Sequence, residues 1–190
     1  MEKTIAILAI LGSLRRGSYN RGALRAAHEV LPAGATLEDF TLEDIPSFNQ
    51  DDEARPPERI ALLKSKIAAA DAVLIVTPEY NFAVPGVLKN AIDWSSRPEK
   101  PTVWKGKPIG LMGASGGALG TARAQFHLRQ SFIYLDAYPL NTPEVLIGNA
   151  PQRFDANSNL IDDTSRQLIA KLLAALILWT RQLAAARAIK

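Results

Sequence analysis

Continuous apolar runs and segments of helical period alternate along the chain, with short polar turns between them. Residues 4–11 carry the unbroken run Ile5-Ala6-Ile7-Leu8-Ala9-Ile10-Leu11, which predicts a buried strand, and residues 21–31 follow as a helix stopped by Pro32-Ala33-Gly34. A short strand is expected at 36–40, a proline-bearing loop at 43–57 and a helix at 58–70. The run Ala72-Val73-Leu74-Ile75-Val76-Thr77 lacks polar alternation, the mark of a central parallel strand buried on both faces. A helix at 87–94, a loop at 98–107, a strand at 108–114 and a helix at 121–132 come next. A fifth strand combines 138–140 with 145–147, interrupted at Asn141-Thr142-Pro143, and a closing helix spans 163–188. Strand and helix in strict alternation predict an α/β fold: one parallel sheet, doubly wound, with helices on both faces.

In such a sheet, ligands sit beyond the carboxyl ends of the strands, where the strand order reverses. With five strands in the order 2-1-3-4-5, three loops meet there. The first, Gly12-Ser13-Leu14-Arg15-Arg16-Gly17-Ser18-Tyr19-Asn20, joins a strand to a helix start and is rich in neutral donors and arginine, a composition suited to an anion. It is neither a dinucleotide fingerprint, because Leu14 occupies the second glycine position, nor a triphosphate loop, because Ser18 stands where the lysine belongs. An ordinary turn in which Ser18 or Asn20 caps the next helix is the competing reading. The second loop, Pro78-Glu79-Tyr80-Asn81-Phe82-Ala83-Val84-Pro85-Gly86, offers aromatic and amide groups. The third, Ser115-Gly116-Gly117, offers small residues that let a flat ring approach the backbone. A phosphorylated planar heteroaromatic satisfies all three, and FMN has that shape.

Composition narrows the chemistry. The chain has 190 residues, expected to form one domain spanning 1–190, and contains no cysteine, so thiol redox, thiolate metal sites and disulfides are excluded. Redox chemistry therefore requires a bound cofactor. Twenty-two basic and 19 acidic residues give a net charge of +3 without a dense basic stripe, which argues against a nucleic-acid partner. The strand pattern starts directly after Met1-Glu2-Lys3 with no leader-like sequence, so the expected location is cytoplasmic. The late apolar stretch 168–186 is broken by Lys171, Thr180, Arg181 and Gln182, and reads as a packed helix with no membrane partner.

Four stretches together resemble the NADPH-dependent FMN reductase family, in its bacterial quinone and chromate reductase branch. They are the first loop; Thr77-Pro78-Glu79-Tyr80-Asn81; Val84-Pro85-Gly86-Val87-Leu88-Lys89-Asn90-Ala91-Ile92-Asp93-Trp94; and Arg123-Ala124-Gln125-Phe126-His127-Leu128-Arg129-Gln130. The resemblance runs from Thr4 to about Glu144 and weakens after Gly148. It implies a flavodoxin-like fold, non-covalent FMN, NAD(P)H as donor, small-molecule acceptors and a homodimer or homotetramer. It further implies that Ser13, Arg15, Gly17, Ser18, Tyr19 and Asn20 hold the FMN phosphate and adjoining chain. Pro78, Glu79, Tyr80 and Asn81 would meet the ring and ribityl group, and Ser115 and Gly116 the ring's far edge.

In that reading hydride arrives at flavin N5 from NAD(P)H and no side chain is obligatory as catalytic acid or base. His28 is expected on a helix surface and His127 in packing or a subunit contact. Trp94, Trp104 and Trp179 are read as core or interface, and Asp162-Asp163 as the acidic start of the last helix rather than a metal site. Glu79 is ambiguous: a carboxylate beside a ring that becomes anionic opposes reduction, and bonding to neighbouring backbone or to another subunit is the alternative. Three readings stay open: an FMN-dependent reductase of quinones and of chromate, azo or nitro compounds; a flavodoxin-type electron carrier; and a non-redox module for another phosphorylated aromatic.

Overall fold

The structure, a computed structural model, describes residues 3–98 and 100–188; the Met1-Glu2 start and Glu99 of the 98–107 loop lie outside them. The elements are β1 (Ile5–Leu11), α1 (Tyr19–Glu29), β2 (Ala35–Thr41), α2 (Glu58–Ala69), β3 (Ala72–Val76), α3 (Gly86–Ser95), β4 (Pro108–Ala114), α4 (Ala122–Tyr134), β5 (Tyr138–Pro139), β6 (Val145–Ile147), a single-turn α5 (Ala150–Arg153) and α6 (Asp163–Ala188). The sheet is parallel with the order β2-β1-β3-β4-β5, as expected. The fifth place is shared by two short strands. β5 pairs with Pro108 and Ile109 at the start of β4, and β6 pairs with Met112 to Ala114 at its end. A turn at Gln50–Asp52 and the helix α5 were not anticipated, being too short to generate a period.

Side chains alternate across the sheet and divide the core into two layers. From β1, β3 and β4, Ile7, Ala9, Leu11, Leu74, Val76 and Met112 face one layer, closed by Ala23 and Ala27 of α1 and by Ile169, Leu172, Leu173 and Leu176 of α6. Leu8, Ile10, Val73, Ile75, Ile109 and Leu111 face the other, closed by Ile60, Leu63 and Ile67 of α2, Leu88 and Ile92 of α3, and Leu128 and Phe132 of α4. All five residues of β3 are buried, which is why its run carries no polar alternation. By length and composition α6 is apolar enough to cross a membrane; its residues Ile169, Leu172, Leu173 and Leu176 are instead buried against the sheet. Asp162 caps it, accepting from Ser165 N at 2.8 Å while Arg153 donates to the same oxygen at 2.8 Å. Because β1, β3 and β4 run parallel and adjacent, their three following loops emerge on one edge.

Candidate functional site

The first loop leaves β1 at Leu11 and re-enters helix at Tyr19. Ser18 is the N-cap of α1: its backbone is extended (φ −77°, ψ 128°) and its Oγ accepts from Asn20 N at 3.2 Å. This cap starts the helix two residues before the hydrophobic period reveals it. Ser13 is buried and its Oγ accepts from Arg15 N at 3.4 Å. Among the described residues, no acceptor is found for the N–H groups of Leu14, Arg16, Gly17 and Ser18. Those groups, the positive end of α1 and the exposed Arg15 and Arg16 form a cradle of donors able to take an anion. Beside it, Arg21 Nε is buried with no partner, and its guanidinium stands 3.8 Å from Glu43.

Two residues of this turn face inward. Asn20 is buried and wholly engaged with β4: Nδ2 donates to Ala114 O at 2.9 Å and Oδ1 accepts from Ala114 N at 2.8 Å. The Tyr19 ring packs against Phe154 with centroids 5.1 Å apart. The Asn20 amide is thus committed to the protein, and the donors the turn leaves open, among the described residues, are backbone N–H groups beside the exposed Arg15 and Arg16.

The second loop begins with Thr77, whose N donates to Met112 O at 3.0 Å and whose Oγ1 donates to Pro78 O at 2.9 Å. Tyr80 and Ala83 then exchange two backbone hydrogen bonds around the two-residue turn Asn81-Phe82. Asn81 (φ 50°) and Phe82 (φ 61°) are both left-handed, the geometry of a tight hairpin. For a bulky side chain such as Phe82 this conformation costs about 1–2 kcal/mol. The Phe82 ring, 65% exposed, lies under the Arg123 guanidinium at 3.8 Å. Glu79, with a side chain only 6% exposed, turns away from solvent: Oε2 accepts from Arg123 N at 2.9 Å and Ala124 N at 3.1 Å, and Oε1 from Arg123 Nη1 at 3.2 Å. Glu79 therefore bonds to nearby backbone, the alternative raised by its sequence context.

The third loop follows β4. Ser115 N donates to Ile147 O and Ser115 O accepts from Ala150 N, so its backbone is fixed by the end of β6. A Cβ added to Gly116 or Gly117 would meet nothing within 4 Å, leaving open space above the loop. Glu79, Asn81, Phe82, Ser115, Gly117 to Gly120 and Arg123 line a cleft of about 650 Å³. The cleft unites the second and third loops, and the donor cradle stands at the adjoining end of β1. Pro78 is buried and Tyr80 is 45% exposed; these two and Gly116 are outside the lining.

One supporting segment was missed from sequence. Residues 155–159 form a closed turn in which Asp155 accepts from Asn157 N at 2.9 Å, Asn159 N at 2.7 Å and Asn159 Nδ2 at 3.0 Å. The Asn159 bonds, backbone first, hold its carboxyl below the usual carboxylate value. Ser158 Oγ donates to Gly17 O at 3.2 Å, and Arg25 of α1 donates to Ser158 O at 2.8 Å and Asn157 O at 3.1 Å. Gly22 lets α1 lie directly on this turn. A glycine inside a helical period was the one local sign of that approach.

The remaining conspicuous residues lie outside the cleft lining. His28 pairs with Asp39 at 2.8 Å on the surface, and His127 is exposed. Trp94 and Trp104 are buried, donating to Pro46 O and Ser95 Oγ; Trp179 donates to Tyr138 O. Arg129 donates to Leu140 O and Asn141 within the chain. Among the described residues no group of three acidic or histidine side chains is placed to hold a metal.

The strand order and the three loops converging at the β1/β3 switch define a flavodoxin-like protein. Residues 5–152 match the NADPH-dependent FMN reductase family. The chain is 50% identical over 185 residues to the NAD(P)H-dependent FMN reductase PA1204 of Pseudomonas aeruginosa, covering 96% of this chain and 99% of that one. It is 41% identical over 177 residues to a 2-hydroxy-1,4-benzoquinone reductase of a Burkholderia species, covering 93% and 97%. Among solved structures, the FerB flavoenzyme NAD(P)H:(acceptor) oxidoreductase of Paracoccus denitrificans superposes with a TM-score of 0.84 at 31% identity, over 94% of this chain and 98% of that chain. The chain belongs to the NADPH-dependent FMN reductase family, an oxidoreductase family that works with FMN and NAD(P)H.

Proposed function

We propose that this chain is an FMN-dependent NAD(P)H:quinone oxidoreductase whose open cleft also admits other flat acceptors such as azo and nitro compounds, and chromate. The observation that carries the reading is the open cleft of the second and third loops beside a turn of unpaired N–H groups and arginines. These features fit FMN: the donor set suits a phosphate monoester, and the bare Gly116-Gly117 edge leaves room for a flat ring. Ser13, Arg15, Gly17 and Ser18 would hold the phosphate, with Tyr19 and Asn20 shaping the turn. Pro78, Tyr80 and Asn81 would bound the ring and ribityl chain, and Ser115 and Gly116 the far edge.

FMN, when bound, would supply the redox chemistry, a two-electron exchange between NAD(P)H and the acceptor. The protein's part is electrostatic and steric. Among the described residues, no acceptor is found for the backbone N–H groups of Asn81 and Gly116, and they would stabilise negative charge on the reduced ring. The cleft stays open on one side for donor and acceptor in turn. The proposal includes a cytoplasmic homodimer or homotetramer, supported by the exposed apolar groups Phe82, Leu119, Phe126, Ile133 and Tyr134.

The test is a visible spectrum of the flavin-loaded protein with NADPH added anaerobically, followed by benzoquinone. Bleaching and rapid recovery are expected. A spectrum that NADPH leaves unchanged would overturn the reductase reading in favour of a one-electron carrier.

A further inference from the structure

We propose that Glu79 is a positioning residue: from beneath the cleft it anchors Arg123, and through Arg123 it holds the strained Asn81-Phe82 turn in the shape that receives the flavin ring. The inference rests on the FMN reading of the cleft. It begins with a gap at the start of α4, where the N-cap Thr121 accepts from Gln125 Nε2 and supplies no capping hydrogen bond to the helix N–H groups. Glu79 fills that gap from 44 residues earlier, taking the N–H groups of Arg123 and Ala124 on Oε2. A buried carboxylate at this end of a helix is favoured by both the orphan donors and the helix dipole.

Its second oxygen accepts from Arg123 Nη1, fixing a guanidinium that is itself 40% exposed. Held there, the guanidinium carbon lies over the Phe82 ring, 3.8 Å from its centroid. Phe82 and Asn81 are the two left-handed residues of the hairpin, closed otherwise only by the Tyr80–Ala83 pair among the described contacts. Helix start, carboxylate, guanidinium and ring thus form one series of contacts, and Glu79, Arg123, Phe82 and Asn81 all line the cleft. With three accepted hydrogen bonds, Glu79 acts on a ligand through its neighbours. The phosphate cradle hangs from β1 and α1 and is outside this series.

The experiment titrates apoprotein with FMN and with lumiflavin, which carries the ring without the phosphate tail, by fluorescence quenching. Glu79→Gln keeps the shape but places an amide donor against an N–H. It should weaken lumiflavin and FMN alike by about tenfold, and shift the visible bands of the bound flavin. Ser18→Ala should weaken FMN alone. Should Glu79→Gln fail to fold, Arg123→Ala keeps the α4 cap while cutting the link to Phe82, and the same losses are expected. Wild-type lumiflavin affinity and unchanged bands in either variant, or a loss confined to FMN, would overturn the inference. A wild-type apoprotein that takes up neither flavin would instead sink the FMN reading itself.

Discussion

Replacing Gly22 by alanine tests the packing of α1 on the 155–159 turn, which supports the first loop. A Cβ built at Gly22 lies 1.8 Å from Ser158 O, 3.0 Å from Ser158 C and 3.2 Å from Phe154 Cδ1. A carbon and a carbonyl oxygen rest no closer than about 3.3 Å, so the 155–159 turn or α1 must retreat by about 1.5 Å. That displacement disturbs the Arg25 bonds to Ser158 O and Asn157 O, and the Ser158 bond to Gly17 O. Hydrogen bonds to a charged donor contribute about 1.5–3 kcal/mol when buried and less at this half-exposed position, giving a loss of about 2–4 kcal/mol. Alanine recovers about 1 kcal/mol inside a helix, leaving a net loss near 2 kcal/mol. For a chain of this size the apoprotein Tm should fall by about 4–8 °C. Gly86→Ala is the control: its Cβ meets nothing within 4 Å and its Tm should hold or rise slightly. A Gly22→Ala variant melting with or above the wild type would refute the close approach of helix and turn.

Asn20→Ala removes both partners of the Ala114 backbone in a buried position, and should destabilise the protein by about 2–4 kcal/mol in chemical denaturation; a loss under 0.5 kcal/mol, within the ordinary noise of surface changes, would contradict the bonding described. Gly116→Val fills open space, so it should leave the apoprotein Tm unchanged while weakening FMN binding; unaltered binding would remove Gly116 from the ring's edge. At Asp71 burial raises the pKa, but the Lys3 hydrogen bond, the Ala6 N–H and nearby lysines outweigh it and the net shift is downward. A depressed carboxylate contributes its stability above the unfolded pKa, near 4, and loses it as pH falls through the lower folded value. Asp71→Asn should therefore flatten the decline of Tm below about pH 4; an identical acid limb in both proteins would refute the assignment.

Much of this architecture could be read from local pattern. The all-apolar β3 announces a strand buried on both faces, and the helical period announces α1, although the helix starts at Tyr19, two residues ahead of that period. The three loops follow from strand ends alone, since a parallel sheet puts them on one side. What escaped reading depends on contacts between distant residues. The bonding of Asn20 to Ala114, 94 residues on, is invisible in the sequence because only the fold brings that backbone against its amide. Glu79 was ambiguous for the same reason, its helix partner lying 44 residues away. The 155–159 turn shows Asp and Asn spacing typical of a loop, but nothing in it names Gly17 or Gly22 as neighbours. The fifth strand broke in two at 141–143, where each short piece found its own stretch of β4.

That break governs how the molecule can meet other chains. The border beyond β4 consists of pieces of two and three residues, too short to template a continuous ladder with an incoming strand. The opposite border, β2, carries Glu38 and Asp39, charges that discourage the same event. With both flanks blunted against β-augmentation, the sheet is built to stay within a single polypeptide, and helices and loops are the surfaces left for meeting other chains.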